Sequence, residues 1–155
     1  MIPSPILRVL STIRTHRVQA LLMGGQACVF YGAAEFSRDT DLVILASADN
    51  LERLGSALRE LKAVCIAVPA FAIEHLNRGH AVHFRCQDDE AHGMRVDVMS
   101  VLRGLGSFSE LWTRRTTLTD AEGSSSGTGN PSRPSWRSFE EMRVVAAKAS
   151  SGSGC

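Results

Sequence analysis

Apolar residues Ile6, Val9, Leu10 and Ile13 recur at helical spacing behind Ser4-Pro5, a cap and first-turn pair, which predicts an N-terminal amphipathic helix. The apolar run 18–23 stops at Gly24-Gly25 and reads as a short buried strand, followed by a helix over 26–31 with Gly32 near its end. Residues 41–45, Asp-Leu-Val-Ile-Leu, are rich in branched side chains and predict a second buried strand that Asp39 and Thr40 lead into. Leu51, Leu54, Leu58 and Leu61 then line one face of a strong amphipathic helix, with Asp49 or Asn50 as its expected cap. A third strand is expected over 64–68, stopped by Pro69, and a short helix over 71–77. Two further strands, 81–86 and 94–99, flank the polar stretch 87–93 and predict a hairpin, with one more short helix over 107–112.

The pattern changes near Asp120. Residues 123–138 are dominated by Ser, Gly, Thr and Pro and hold too little apolar surface to order themselves. A weak helix is expected over 139–149. The chain therefore divides into one folded domain, 1–121, and a low-complexity tail, 122–155, expected to be disordered. The predicted fold class is α/β (α+β): a short mixed sheet with helices packed against it.

At 155 residues, with 44% hydrophobic and 21% charged residues, the chain can bury a core, and wholesale disorder is excluded. A formal net charge of +1 gives no electrostatic case for coating nucleic acid. No apolar run approaches the ~20 residues that span a bilayer, and Arg8, Arg14 and Arg17 interrupt any leader-like core, so a cytoplasmic protein without a membrane partner is expected. Cys28, Cys65, Cys86 and Cys155 are scattered without a paired spacing. That argues against structural zinc, and the first three are expected as buried free thiols.

Three features carry candidate chemistry. Gly24 and Gly25 stand at a strand-to-helix junction, where glycine lets the backbone approach a ligand and a helix start offers N–H groups to an anion; a tight turn is the plainer reading. Asp39 and Asp41, two apart on a strand, project from one face, which suits Mg²⁺ and its preference for carboxylates, water and substrate phosphate. A charged strand edge is the alternative. Asp97, between Val96 and Val98, needs either solvent or a site on its own face, because a buried unpaired carboxylate is costly. His80 and His83, an odd number apart on a strand, face opposite sides and cannot readily share a metal. The run Asp88-Asp89-Glu90 reads as a solvated turn.

Met23-Gly24-Gly25, then Asp39-Thr40-Asp41, then a distant Asp97 resemble the nucleotidyltransferase-fold superfamily, whose hallmark is an apolar residue, Gly, and Gly or Ser, followed by Asp-x-Asp and a third carboxylate. The resemblance runs from about Val18 to Ser100 and is nearest to the minimal bacterial branch that includes the AbiEii-like toxins. Ser37 and Arg38 match that branch in type, whereas Glu35 stands where a basic residue is common and Thr40 where an apolar one is usual. The resemblance implies metal-dependent transfer of a nucleoside monophosphate from an NTP to an acceptor hydroxyl on RNA, a protein or a small molecule. It also implies a toxin-like activity with an antitoxin partner. Gly24, Gly25, Ser37 and Arg38 would serve the nucleotide. Asp39, Asp41 and Asp97 would hold Mg²⁺ or Mn²⁺, with Asp97 completing the metal site or accepting the proton of the attacking hydroxyl. The rival expectation is a catalytically inactive module of this fold that binds nucleotide or a protein partner; the plainest is a set of surface aspartates. Convergence of the three carboxylates discriminates among them.

Overall fold

The structure is a computed structural model and describes residues 4–30, 37–67, 70–118 and 142–144. In chain order the elements are α1 (Ser4–Thr15), β1 (Ala20–Met23), α2 (Gly24–Phe30), β2 (Asp39–Ile44), α3 (Ala48–Glu60), β3 (Val64–Cys65), α4 (Ile73–Asn77), β4 (Val82–Arg85), β5 (Arg95–Met99), α5 (Phe108–Thr113), β6 (Thr116–Leu118) and β7 (Met142–Val144). One mixed sheet runs β3-β4-β5-β2-β1 and is extended beyond β1 by the three-residue strands β7 and β6. The pairs β2–β5 and β1–β7 are parallel and the remainder antiparallel. The class is thus α/β, as the alternation of periodicities predicts.

The helix expected over 139–149 is, at Met142–Val144, a strand instead. The rest of that stretch, like residues 123–138, lies outside the described residues. α3 is capped by Ser47, whose Oγ accepts from Asn50 N at 3.3 Å, rather than by Asp49 or Asn50. Asn50 is held elsewhere: it is buried, its Oδ1 accepts from Gln19 N at 2.7 Å, and its Nδ2 donates to the carbonyls of Gln19 and Leu45. A side chain satisfying three backbone groups at the start of β1 and the end of β2 is worth more there than at a cap. β3 is shorter than expected, two residues of the stretch 64–68.

Strand alternation gives the sheet two faces of different character. On one, Leu22, Leu42, Ile44, Val82, Phe84, Val96 and Val98 pack against Ile6, Val9, Leu10 and Ile13 of α1, Leu54, Ala57 and Leu58 of α3, and Leu76 of α4, forming the main core. Thr40 points toward this face and is fully buried, yet its hydroxyl finds no partner among the described residues. On the other face a smaller cluster, Leu21, Val43, Phe108 and Leu111, seats α5 against the sheet, with Met23, Met99 and Trp112 at its margin. A capping box between Ser107 and Glu110 starts that helix.

The loop after β4 is tied down. Arg8 Nε donates to Asp88 Oδ2 at 3.1 Å, and its guanidinium lies 3.2 Å from Glu60, so α1, α3 and the hairpin loop share one cation. The Arg8 hydrogen bond holds the Asp88 carboxyl below the usual carboxylate range, so Asp88 is more than a solvated turn residue. Of the cysteines expected as buried free thiols, Cys86 is buried and free, and burial pushes its thiol up to about 11. Cys65 is exposed, its thiol donating to the Ala67 carbonyl at 3.1 Å, and Cys28 is disulfide-bonded.

Candidate active site

Among the described residues the second sheet face is covered by α5 at one end only, and the register sorts its residues into rungs. Leu21, Val43 and Met99 are direct neighbours across β1, β2 and β5 and lie under α5. The next rung is Met23, Asp41, Asp97 and His83, across β1, β2, β5 and β4. Beyond it stand Asp39, Arg95 and Arg85. Residues opposed on adjacent strands project to one side, with Cβ atoms ~4.5–5.5 Å apart. The parallel β2–β5 pairing therefore brings Asp41 beside Asp97, and Asp39 shares their face from one rung further along. By strand register the three carboxylates thus share one sheet face.

Asp97 is 7% exposed. Its Oδ1 accepts from Arg95 Nε at 2.8 Å and lies 2.8 Å from His83 Nδ1. Arg95 Nη2 is also 3.0 Å from the same His83 nitrogen. A carboxylate placed between two valines is thus hydrogen-bonded by partners from its own strand and its hairpin partner, which offsets the cost of burying it. The Asp97 hydrogen bond, with Asp39 and Asp41 adding their charges, raises the Arg95 guanidinium above its ordinary value.

Asp41 is half-buried, and burial, followed by the Asp97 and Asp39 charges, holds its carboxyl above the usual range; Arg95 and His83 partly offset this. Like charges are therefore crowded around Asp41. Gly24 lies against it: a Cβ there would overlap Asp41 Oδ2, and Gly24 has φ +68°, in the left-handed region. A Cβ on Gly25 would come 3.0 Å from Ser37 Oγ, and that hydroxyl donates to the Asp39 carbonyl at 3.1 Å. Gly24 is thus required by the close approach of the strand-to-helix turn to β2, whatever else it contacts, and Gly25 fits closely against Ser37. Arg38 is exposed, and Glu35 lies outside the described residues.

A divalent cation fits part of this donor set. Asp39 and Asp41 offer hard oxygens from one strand face, where Asp41 ionises against its neighbours, and Mg²⁺ is commonly held by one or two carboxylates plus water and phosphate. Asp97 offers less to such an ion, because its Oδ1 is already engaged by Arg95 and His83. Among the described residues no group of three His, Cys, Asp or Glu side chains is arranged to hold a metal ion.

The sequence alone gives His83 no role beyond a rejected metal pairing with His80, and gives Arg95 none. The alternation Val82-His83-Phe84-Arg85 does place His83 opposite the buried residues, and that was the available signal. Which residue opposes Asp97 depends on the register of the hairpin across residues 87–93, and spacing alone does not fix it. Among the described residues no helix is long and apolar enough to cross a membrane. No protein-family model matches the chain, and no curated protein matches it either.

Proposed function

We propose that the chain is a metal-dependent nucleotidyltransferase acting in the cytoplasm, moving a nucleoside monophosphate from an NTP to an acceptor hydroxyl with release of pyrophosphate. One observation carries the reading: Asp41 and Asp97 are register partners on the sheet face beyond α5, Asp39 is on the same face, and Asp41 is seated against the Gly24 turn. Bound between Asp39 and Asp41, Mg²⁺ or Mn²⁺ would supply charge neutralisation and in-line orientation of the transferring phosphoryl group. Gly24, Gly25, Ser37 and Arg38 border the carboxylates and form the nucleotide side of the site. Asp97, on the next strand, faces the acceptor side. RNA, a protein or a small molecule would supply the hydroxyl, and a toxin-like activity held in check by an antitoxin agrees with the sequence resemblance.

The engagement of Asp97 by Arg95 and His83 favours a second reading, a catalytically inactive module that binds nucleotide or a protein partner. Two measurements separate them. Mg²⁺ with a nucleoside triphosphate at ~100 times Kd is expected to stabilise the wild type by about 2.7 kcal/mol through mass action. The Asp39→Ala/Asp41→Ala variant is expected to lose that shift; an equal shift in both proteins removes the metal site. Incubation with α-labelled NTPs and cellular RNA or protein then tests transfer. Stabilisation without label on any acceptor selects the inactive module.

A further inference from the structure

We propose that His83 is the general base of this site, with Asp97 holding its Nδ1–H so that Nε2 takes the proton of the attacking hydroxyl. The inference rests on the nucleotidyl-transfer reading and reassigns the proton acceptor within it.

The hydrogen-bond geometry carries it. An ionised carboxylate only accepts hydrogen bonds, and Asp97 Oδ1 is met by Arg95 Nε, which only donates. His83 Nδ1, 2.8 Å from the same oxygen, must therefore carry a hydrogen. Arg95 Nη2, 3.0 Å from Nδ1, competes for the same nitrogen, and the shorter, charge-assisted contact with the carboxylate sets the tautomer. A neutral ring with hydrogen on Nδ1 has its lone pair on Nε2. That nitrogen makes no hydrogen bond with the described residues, and 26% of the side chain is exposed. A carboxylate that fixes the tautomer and orientation of an imidazole, leaving the far nitrogen to act on protons, is a recurrent catalytic arrangement. Asp97, which is 7% exposed and bound through Oδ1 by two donors, is itself poorly disposed to collect a proton from an acceptor.

Position agrees with chemistry. His83 stands in the same rung as Asp41 and Asp97 but two strands away from Asp41, roughly 10 Å across the sheet at ordinary strand spacing. Across that distance a phosphoryl group would lie over β2 and an attacking oxygen over β5. In the step, the acceptor O–H bond breaks and its proton passes to Nε2. The freed electron pair forms the new bond to the α-phosphorus. The bond from that phosphorus to the bridging oxygen breaks, and pyrophosphate leaves with its electrons. The imidazolium, facing Asp97, later releases its proton to product or water.

The test has two arms on the full chain. Nitrogen-15 NMR of histidine-labelled protein, without metal or nucleotide, is expected to show His83 in the Nδ1–H tautomer. An Nε2–H tautomer overturns the proposal whether or not transfer is ever observed. In the second arm His83→Ala is expected to reduce transfer by about 10²-fold or more. The stabilisation by Mg²⁺ and nucleoside triphosphate should persist, and added imidazole should restore part of the transfer. Unimpaired transfer in His83→Ala refutes the base and leaves nucleotidyl transfer standing. Loss of transfer together with the nucleotide-dependent stabilisation shows a structural role and also overturns it. If His83→Ala does not fold, His83→Gln replaces it in the same comparison. Absence of transfer by the wild type sinks the parent reading, a result distinct from either failure of His83.

Discussion

Gly24→Ala isolates the contact on which the glycine turn depends. An L-residue in the left-handed region costs about 1–2 kcal/mol, and Gly24 sits at φ +68°. The new methyl would also overlap Asp41 Oδ2, with Asp41 Cγ at 3.0 Å and Cβ at 3.3 Å, so the carboxylate must rotate away. Holding a side chain off its rotamer adds about 0.5–1.5 kcal/mol. The expected loss is thus about 1.5–3.5 kcal/mol, or about 5–10 °C in Tm for a chain of this size. In an Asp41→Ala background the overlapping oxygen is gone and only the backbone term remains, about 1–2 kcal/mol. Urea denaturation of the four proteins reads the coupling directly, and about 1 kcal/mol is expected. Equal losses in both backgrounds would refute the claim that the turn is shaped around the Asp41 carboxylate.

Two more outcomes follow from residues flanking that contact. Thr40→Val keeps the shape but removes a fully buried hydroxyl without a partner among the described residues, and is expected to stabilise by about 0.5–2 kcal/mol in urea denaturation; a loss of stability would show that the hydroxyl is satisfied. Asp41 has its carboxyl raised by burial and then by Asp97 and Asp39, so the folded state holds its proton more tightly than the unfolded chain. Stability contributed this way is present below the unfolded value and is lost as pH rises through the folded one. Asp41→Asn is therefore expected to raise Tm by about 2–5 °C at neutral pH without metal and to match the wild type near pH 3, a contrast that thermal scans at the two pH values check.

Much of the fold was legible because the chain states its periods plainly. Ile6 to Ile13 and Leu51 to Leu61 repeat at helical spacing, and both stretches are core-facing helices. The hairpin of β4 and β5 follows from two alternating runs around a polar stretch. Legibility ended where tertiary contacts outbid local preference. Asn50 looks like a cap, but three backbone groups claim its amide and leave Ser47 to cap α3. Met142–Val144 has no strand-length apolar run, and its state is decided by the open edge of β1 and by β6. In the candidate site, Asp39, Asp41 and Asp97 could be named from carboxylate spacing and the apolar flanks of Asp97. His83 could not, because its place beside Asp97 is a property of strand register.

The order of strands also bears on how the chain assembles. Asp97 and His83 are separated by only 14 residues and are joined by a local hairpin, whereas Asp97 and Asp41 meet through a parallel pairing that encloses α3, β3, α4 and β4. Loop-closure entropy grows with the length enclosed, so the hairpin is the cheaper loop to close and parallel contacts are slow to form. Topology thereby favours a folding route in which Asp97 reaches β2 already escorted by Arg95 and His83. Two acids that repel each other in water are then brought together after one has acquired its hydrogen-bond donors, and electrostatic frustration along the route is reduced.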